Sequence, residues 1–212
     1  MLNWIIGFYT PSDAFFLIFE VHWFFMFMLH PKSFPLFLLC FMLFSAFNLP
    51  THLRYLLKSE EHGYQIEFPS LPMDNHPSVN SPFGELKMHV FLYDASMVNK
   101  KDENQMYLLN LTIYPPQGEI HSNRGENISE FYRSTIDGII KQNRGTILTQ
   151  KEIEINNYPG KEFKLEIKNG KAILTGRLFL IENKMFLIQT IADKKKEGNQ
   201  AQQKFFESFL LL

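Results

Sequence analysis

The residues of this sequence that could do chemistry are few and loosely spaced. The domain-side histidines are His62, His76, His89 and His121, and none stands in an HxxxH or HExxH spacing. That i,i+4 spacing is what brings two ligands to one helix face. Asp74 and His76 stand two apart, as do Glu119 and His121. Solvated loops give this spacing as readily as metal sites do, so no metal ligand is assigned. Ser129 and Ser134 lack the GxSxG setting of an activated hydroxyl. No phosphate-binding glycine loop is present. Glu152, Glu154, Glu162 and Glu166 alternate with lysines and apolar residues, the pattern of a solvated sheet face. An acid–base pair would need burial to shift its pKa. Cys40 is the single cysteine and lies in an apolar run, preceded by Leu39 rather than by the small residue that lipid attachment requires. The sequence therefore predicts no enzyme, no cofactor and no metal. Its best functional candidate is the polar connector Pro115–Glu126, where His121 and Arg124 are the expected partner-contacting residues. Long connectors without secondary structure are often functional.

Composition divides the chain. Charged residues make up 20% and the net charge is −1, which leaves no basic stripe for nucleic acid. Residues 1–57 carry only Asp13, Glu20, Lys32 and Arg54 as formal charges, and more than half of the 22 phenylalanines precede Asn48. The run FPLFLLCFMLFSAFNL, Phe34–Leu49, reaches about 24 Å as a helix, short of the ~30 Å hydrocarbon core. With Lys32 ahead of it, it reads as a signal peptide or as an uncleaved anchor over residues 34–50. Residues 1–33 read either as a first membrane span or as an extension of the gene beyond starts at Met26 or Met28. Residues 51–62 read as linker, and 63–212 as the folded domain.

The elements that must position any site follow from periodicity. GYQIEFP (63–69) reads as a strand, SLPMDNHPSVNSP as a loop, and 85–94 and 105–116 as strands. Asn127 and Glu130 fit a capping box. Ile128, Phe131, Tyr132, Ile136, Ile139 and Ile140 then recur at helical spacing. Arg133 and Asp137 are placed to pair, and Gly145 to stop the helix. Asn169-Gly170 and Glu182-Asn183 read as hairpin turns, and Pro159-Gly160 as the centre of a type II turn. KAILTGRLFLIE and KMFLIQTIA are apolar on both faces, which places them mid-sheet. Ala201, Phe205 and Phe209 stand four apart near the C-terminus, predicting a last helix. The charge run 193–200 reads as a solvated corner. The expected class is α+β, an α/β/α sandwich with an antiparallel sheet of about six or seven strands and helices packed on it.

The order and spacing of GYQIEFP, YPGKEFKLE, GRLFLIENKMFLIQTI and KFFESF, with one helix between the third and fourth strands, resembles the PsbP-like fold family over residues 63–212. The likeness is greatest to its small exported bacterial members. The resemblance implies binding to other proteins rather than catalysis. Members named for photosystem II assist oxygen evolution, and relatives of the fold serve as envelope proteins, secretion chaperones or nuclear-import factors. No family active-site residues have a match here. The expected function is a non-catalytic binding or accessory module of the cell envelope, exported or anchored through residues 34–50. Its partner would be a protein or the membrane. Two other readings stand beside it: a membrane protein with two N-terminal spans and a soluble sensor domain, and a hydrolase or metal-dependent enzyme using the 115–126 loop.

Overall fold

The computed structural model describes residues 54–81, 84–123 and 128–212. The segments 1–33 and 34–50, Arg124 and the Asn127 cap lie outside the described residues. The elements in chain order are β1 (Tyr55–Ser59), β2 (Tyr64–Phe68), β3 (Met73–Asn75), β4 (Ser78–Ser81), β5 (Gly84–Asp94), a single-turn helix α1 (Ala95–Val98) and β6 (Asn104–Ile113). Then come α2 (Ile128–Asn143), β7 (Thr146–Ile155), β8 (Tyr158–Ile167), β9 (Ala172–Ile181), β10 (Lys184–Asp193), α3 (Gln200–Glu207) and β11 (Leu210–Leu211), with a 3-10 turn at Lys194–Lys196 before α3.

The large sheet runs β3–β5–β6–β10–β9–β8–β7, with β4 also paired to β5, and every pairing is antiparallel. β9 and β10 sit at its centre because both of their faces are apolar. On one face Phe179, Ile181, Phe186 and Ile188 join Phe91, Tyr93, Tyr107, Leu109 and Leu111 beneath Phe205, Phe206 and Phe209 of the C-terminal segment. On the other face Phe163, Leu165, Leu174, Leu178 and Leu180 pack under Tyr132, Ile136 and Ile139 of α2. Burial of these side chains is worth roughly 1.5–3 kcal/mol each before the entropy of ordering them is subtracted.

Several local expectations change. GYQIEFP is a strand, but β2 pairs with β1 and β11 in a separate three-stranded sheet. Its buried face, Tyr64, Ile66 and Phe68, lies on the large sheet and not beside it. β1 begins at Tyr55, inside the stretch expected to be linker. Two short strands, β3 and β4, occupy the expected loop 70–82. The β7–β8 turn is Asn156-Asn157, with φ of 48° and 65°, rather than Pro159-Gly160. Two successive residues at positive φ twist a two-residue hairpin in the sense the strands require, and asparagine tolerates that conformation. Gly160 instead lies inside β8, paired with Phe179, whose ring occupies the space a Cβ would fill.

At the end of α2 the left-handed residue is Arg144 (φ 48°), one before the predicted glycine. Arg144 N–H donates to the Lys141 carbonyl and Gly145 N–H to the Ile140 carbonyl, the Schellman pattern. Gly145 is small because the Glu166 carbonyl and the Ile167 side chain would lie 3.2 Å from a Cβ. Arg133 pairs with Glu130 at 2.5 Å, not with Asp137.

Candidate functional site

The described part of the loop, residues 115–123, is held to the fold by hydrogen bonds. Gly118 N–H closes a turn on the Pro115 carbonyl at 2.9 Å. Ser122 N–H donates to the Glu182 carbonyl at 2.8 Å, and Glu182 N–H returns a bond to Ser122 Oγ at 2.9 Å. Asn183 Nδ2 donates to the Tyr114 carbonyl at 2.6 Å. The loop is thereby clamped to the β9–β10 turn. His121 is half-buried, and its Nδ1 accepts from Asn123 N–H at 3.3 Å. Arg124, its expected companion, lies outside the described residues. The nearby serine and the imidazole nitrogen are engaged in shaping the loop.

A cleft lies elsewhere, on the side of the sheet that carries α3. It holds about 480 Å³ and is bordered by Arg54, Ser70, Tyr93, Lys101, Glu103 and Tyr107. At its edge Tyr107 O–H donates to Asp102 Oδ1 at 2.7 Å and accepts from Asn104 Nδ2 at 2.8 Å. Asn104 is 1% exposed and exchanges two amide bonds with Asn199, the cap of α3. Burial pushes the Tyr107 phenol well above its ordinary range, and burial followed by the Asp102 charge raises Tyr93. Both phenols are therefore neutral donors. A nucleophile or base would need the opposite shift.

The large sheet also has an open half. Met88, Val90 and Leu92 of β5 and Met106 and Leu108 of β6 are half-buried and belong to neither core cluster. Met73 of β3, 56% exposed, pairs with Leu92, which pairs with Leu108, so the three form one apolar row across the strands. Within that face Asn110 Oδ1 is buried without a hydrogen-bond donor among the described residues. β6 alternates here, because Leu109 and Leu111 point into the opposite, fully packed face.

Two polar groupings were not legible from spacing. Glu162, read as a solvated strand residue, is 8% exposed. It pairs with Lys151 at 2.8 Å and Arg177 at 2.7 Å, its neighbours across β7 and β9. Burial alone would raise its pKa, but the bonds from Lys151 and Arg177 outweigh that and hold it below the usual carboxylate value. Arg177 also lies over the Phe206 ring at 4.8 Å. The second grouping is a histidine cluster. His76 Nε2 meets Asp74 Oδ1 at 3.0 Å, and His76 Nδ1 meets His89 Nδ1 at 2.8 Å. The His62 ring stands edge-on to His89 with centroids 4.7 Å apart. The Asp74–His76 spacing was the visible signal, and the β3–β5 pairing that adds His89 was not. Among the described residues, no set of three or more His, Cys, Asp or Glu side chains is arranged to hold a metal ion. Among them also, no helix is long and apolar enough to cross a membrane.

No family profile and no curated protein sequence matches this chain. Solved structures do. The solution structure of cyanobacterial PsbP (CyanoP) from Synechocystis sp. PCC 6803 superposes with a TM-score of 0.53 at 6% identity, covering 78% of this chain and 96% of that one. A crystal structure of a Pseudomonas aeruginosa protein of unknown function overlaps at a TM-score of 0.32 and 11% identity, covering 68% of this chain and 85% of that one. The first likeness is one of fold: this chain has the PsbP-like fold.

Proposed function

Proceeding from the PsbP-like fold, we propose that this protein is a non-catalytic binding module of the cell envelope. It presents the open half of its large sheet to a protein partner. The observation that carries this reading is the apolar row Met73–Leu92–Leu108, with Met88, Val90 and Met106 around it, left half-exposed while the neighbouring faces of β8, β9 and β10 are packed. Contiguous exposed apolar surface on a folded protein marks an interaction site. Methionine suits it, because its flexible thioether side chain adapts to a partner's shape. The Tyr107 and Tyr93 phenols beside the cleft are held in the neutral form, which supports binding over catalysis there.

Export is proposed on the sequence pattern of residues 34–50. Two measurements test the whole. A photo-crosslinking residue placed at Leu92 in the native cell should give a discrete protein adduct, while the same residue at Asp137, on the outer surface of α2, should give none. Equal labelling at both positions, or none at either, would remove the docking reading. Fractionation with mapping of the native N-terminus tests the address. A start near residues 46–51 in the envelope fraction fits secretion, a retained apolar run fits an anchor, and a cytoplasmic protein would overturn both.

A further inference from the structure

The three clustered histidines are used by neither the proposed docking face nor the core. They sit where two sheets meet. His62 is in the β1–β2 turn, Asp74 is on β3, His76 is in the link to β4, and His89 is on β5. His89 lies on the face of β5 that also carries Phe91 and Tyr93, so it closes the end of the aromatic core under the β1–β2 turn. We propose that His62, His76 and His89, with Asp74, form a pH-sensitive latch. It holds the β1–β2 hairpin against the edge of the large sheet at neutral pH and releases it as the rings take up protons.

The hydrogen bonds set how many protons the cluster can hold. With His76 Nε2–H donating to Asp74, its Nδ1 carries a lone pair and accepts from His89 Nδ1–H at 2.8 Å. A first added proton is tolerated, because the His76–His89 pair can share it within their hydrogen bond while Asp74 accepts from the other side. A second proton on this pair puts two N–H groups face to face at a distance that only a donor and an acceptor can share. The rings must then part. The His62 ring packs edge-on to His89 with centroids 4.7 Å apart, so a displaced His89 ring also loosens its contact with the β1–β2 turn. The groups facing His89 are His62 and Glu61 from the turn, Asp74 from β3 and His76 beside it. Lys184 Nζ also reaches the turn, donating to the His62 carbonyl at 3.2 Å. Lys184 is itself paired with Glu182 at 3.9 Å, so the two carboxylates facing the rings, one already bonded to His76, are what offsets protons added to the cluster. Burial, then His62 and His76, lower the His89 pKa below its ordinary 6.5. The sign follows: below 6.5 the unfolded ring takes a proton that the folded one resists, so the latch weakens as pH falls through that window.

Hydrogen exchange of the full chain in detergent tests this. Between pH 7.5 and 5.5, after correction for intrinsic exchange, protection over 57–65 should fall by at least about threefold. Protection over β8 and β9 should hold. His89→Phe keeps a ring in place and should remove the pH dependence. A uniform loss over the whole domain, or the same local loss in His89→Phe, overturns the latch. Should that variant not fold, the histidine ring signals of the wild-type chain decide. Broad, coupled titrations with one ring below 6.5 support the latch, and three independent single-site curves near 6.5 refute it.

Discussion

At the scale of single residues, the close contacts are set by glycines facing phenylalanines across the strands. Gly160 pairs with Phe179 and Gly176 with Phe163. A Cβ on Gly176 would stand 2.3 Å from Phe163 Cζ, well inside contact distance. Each ring thus covers the backbone of a glycine on the next strand, recovering apolar contact that a glycine-containing strand otherwise lacks. Gly176→Ala must push Phe163 out of a fully buried position, and should destabilise by about 1–3 kcal/mol in urea unfolding. An unchanged midpoint would mean that Phe163 has room to move. Glu162 supplies a second test. Its pKa is held below the ordinary 4.5 by Lys151 and Arg177, so it contributes stability above that value. This contribution is lost as pH falls through the lower, folded value. Glu162→Gln should therefore lower stability at pH 7 and flatten its pH dependence below about 4.5. An acid slope matching the wild type would show the carboxylate to be unimportant. Neither contact is legible in the sequence, because alternation tells which face a residue takes but not what crosses from the next strand. Glu162 looks like Glu154 in sequence, yet only the former pairs with Arg177, which itself lies over the Phe206 ring.

At the scale of elements, legibility depended on how local the determining physics is. β9 and β10 were readable because unbroken apolar runs demand burial on both faces, wherever they sit. The amphipathic face of α2 was readable for the same reason, and Tyr132, Ile136 and Ile139 are its buried residues. The turns misled where two local signals competed. Pro159-Gly160 has turn chemistry, but Asn156-Asn157 lies between the strands that actually pair, and register decided. β2 was legible as a strand but not in its sheet, since its partner β11 is formed by the last residues of the chain. The helix end makes a measurable case. Arg144 carries a Cβ in the left-handed region at the Schellman position, where glycine has no steric cost. Arg144→Gly should raise stability by about 0.5–1 kcal/mol, read as a higher unfolding midpoint with an unchanged slope. A loss would mean that the side chain makes a compensating contact.

At the scale of the whole molecule, the question is whether the half-covered sheet is an incomplete core or a working surface. The candidate site could not be read from sequence. Leu86, Met88, Val90 and Leu92 alternate like any inward-facing strand, and only the placement of α2 over β8, β9 and β10 leaves part of that face uncovered. Adjacent residues of one strand separate the alternatives. Leu109 is fully buried between the sheets, while its neighbour Leu108 points to the open face and is half-buried. Leu109→Ala removes packed methyl groups and should cost about 2–5 kcal/mol. Leu108→Ala should cost about 1 kcal/mol or less, because much of its surface already meets solvent. If both substitutions cost the same, the face is packed in the working protein and is not available to a partner. If Leu108→Ala is nearly neutral in stability yet abolishes the adduct formed at Leu92, the exposed leucine is kept for contact and not for folding. That separation of binding from stability is what a docking surface predicts and a structural defect does not.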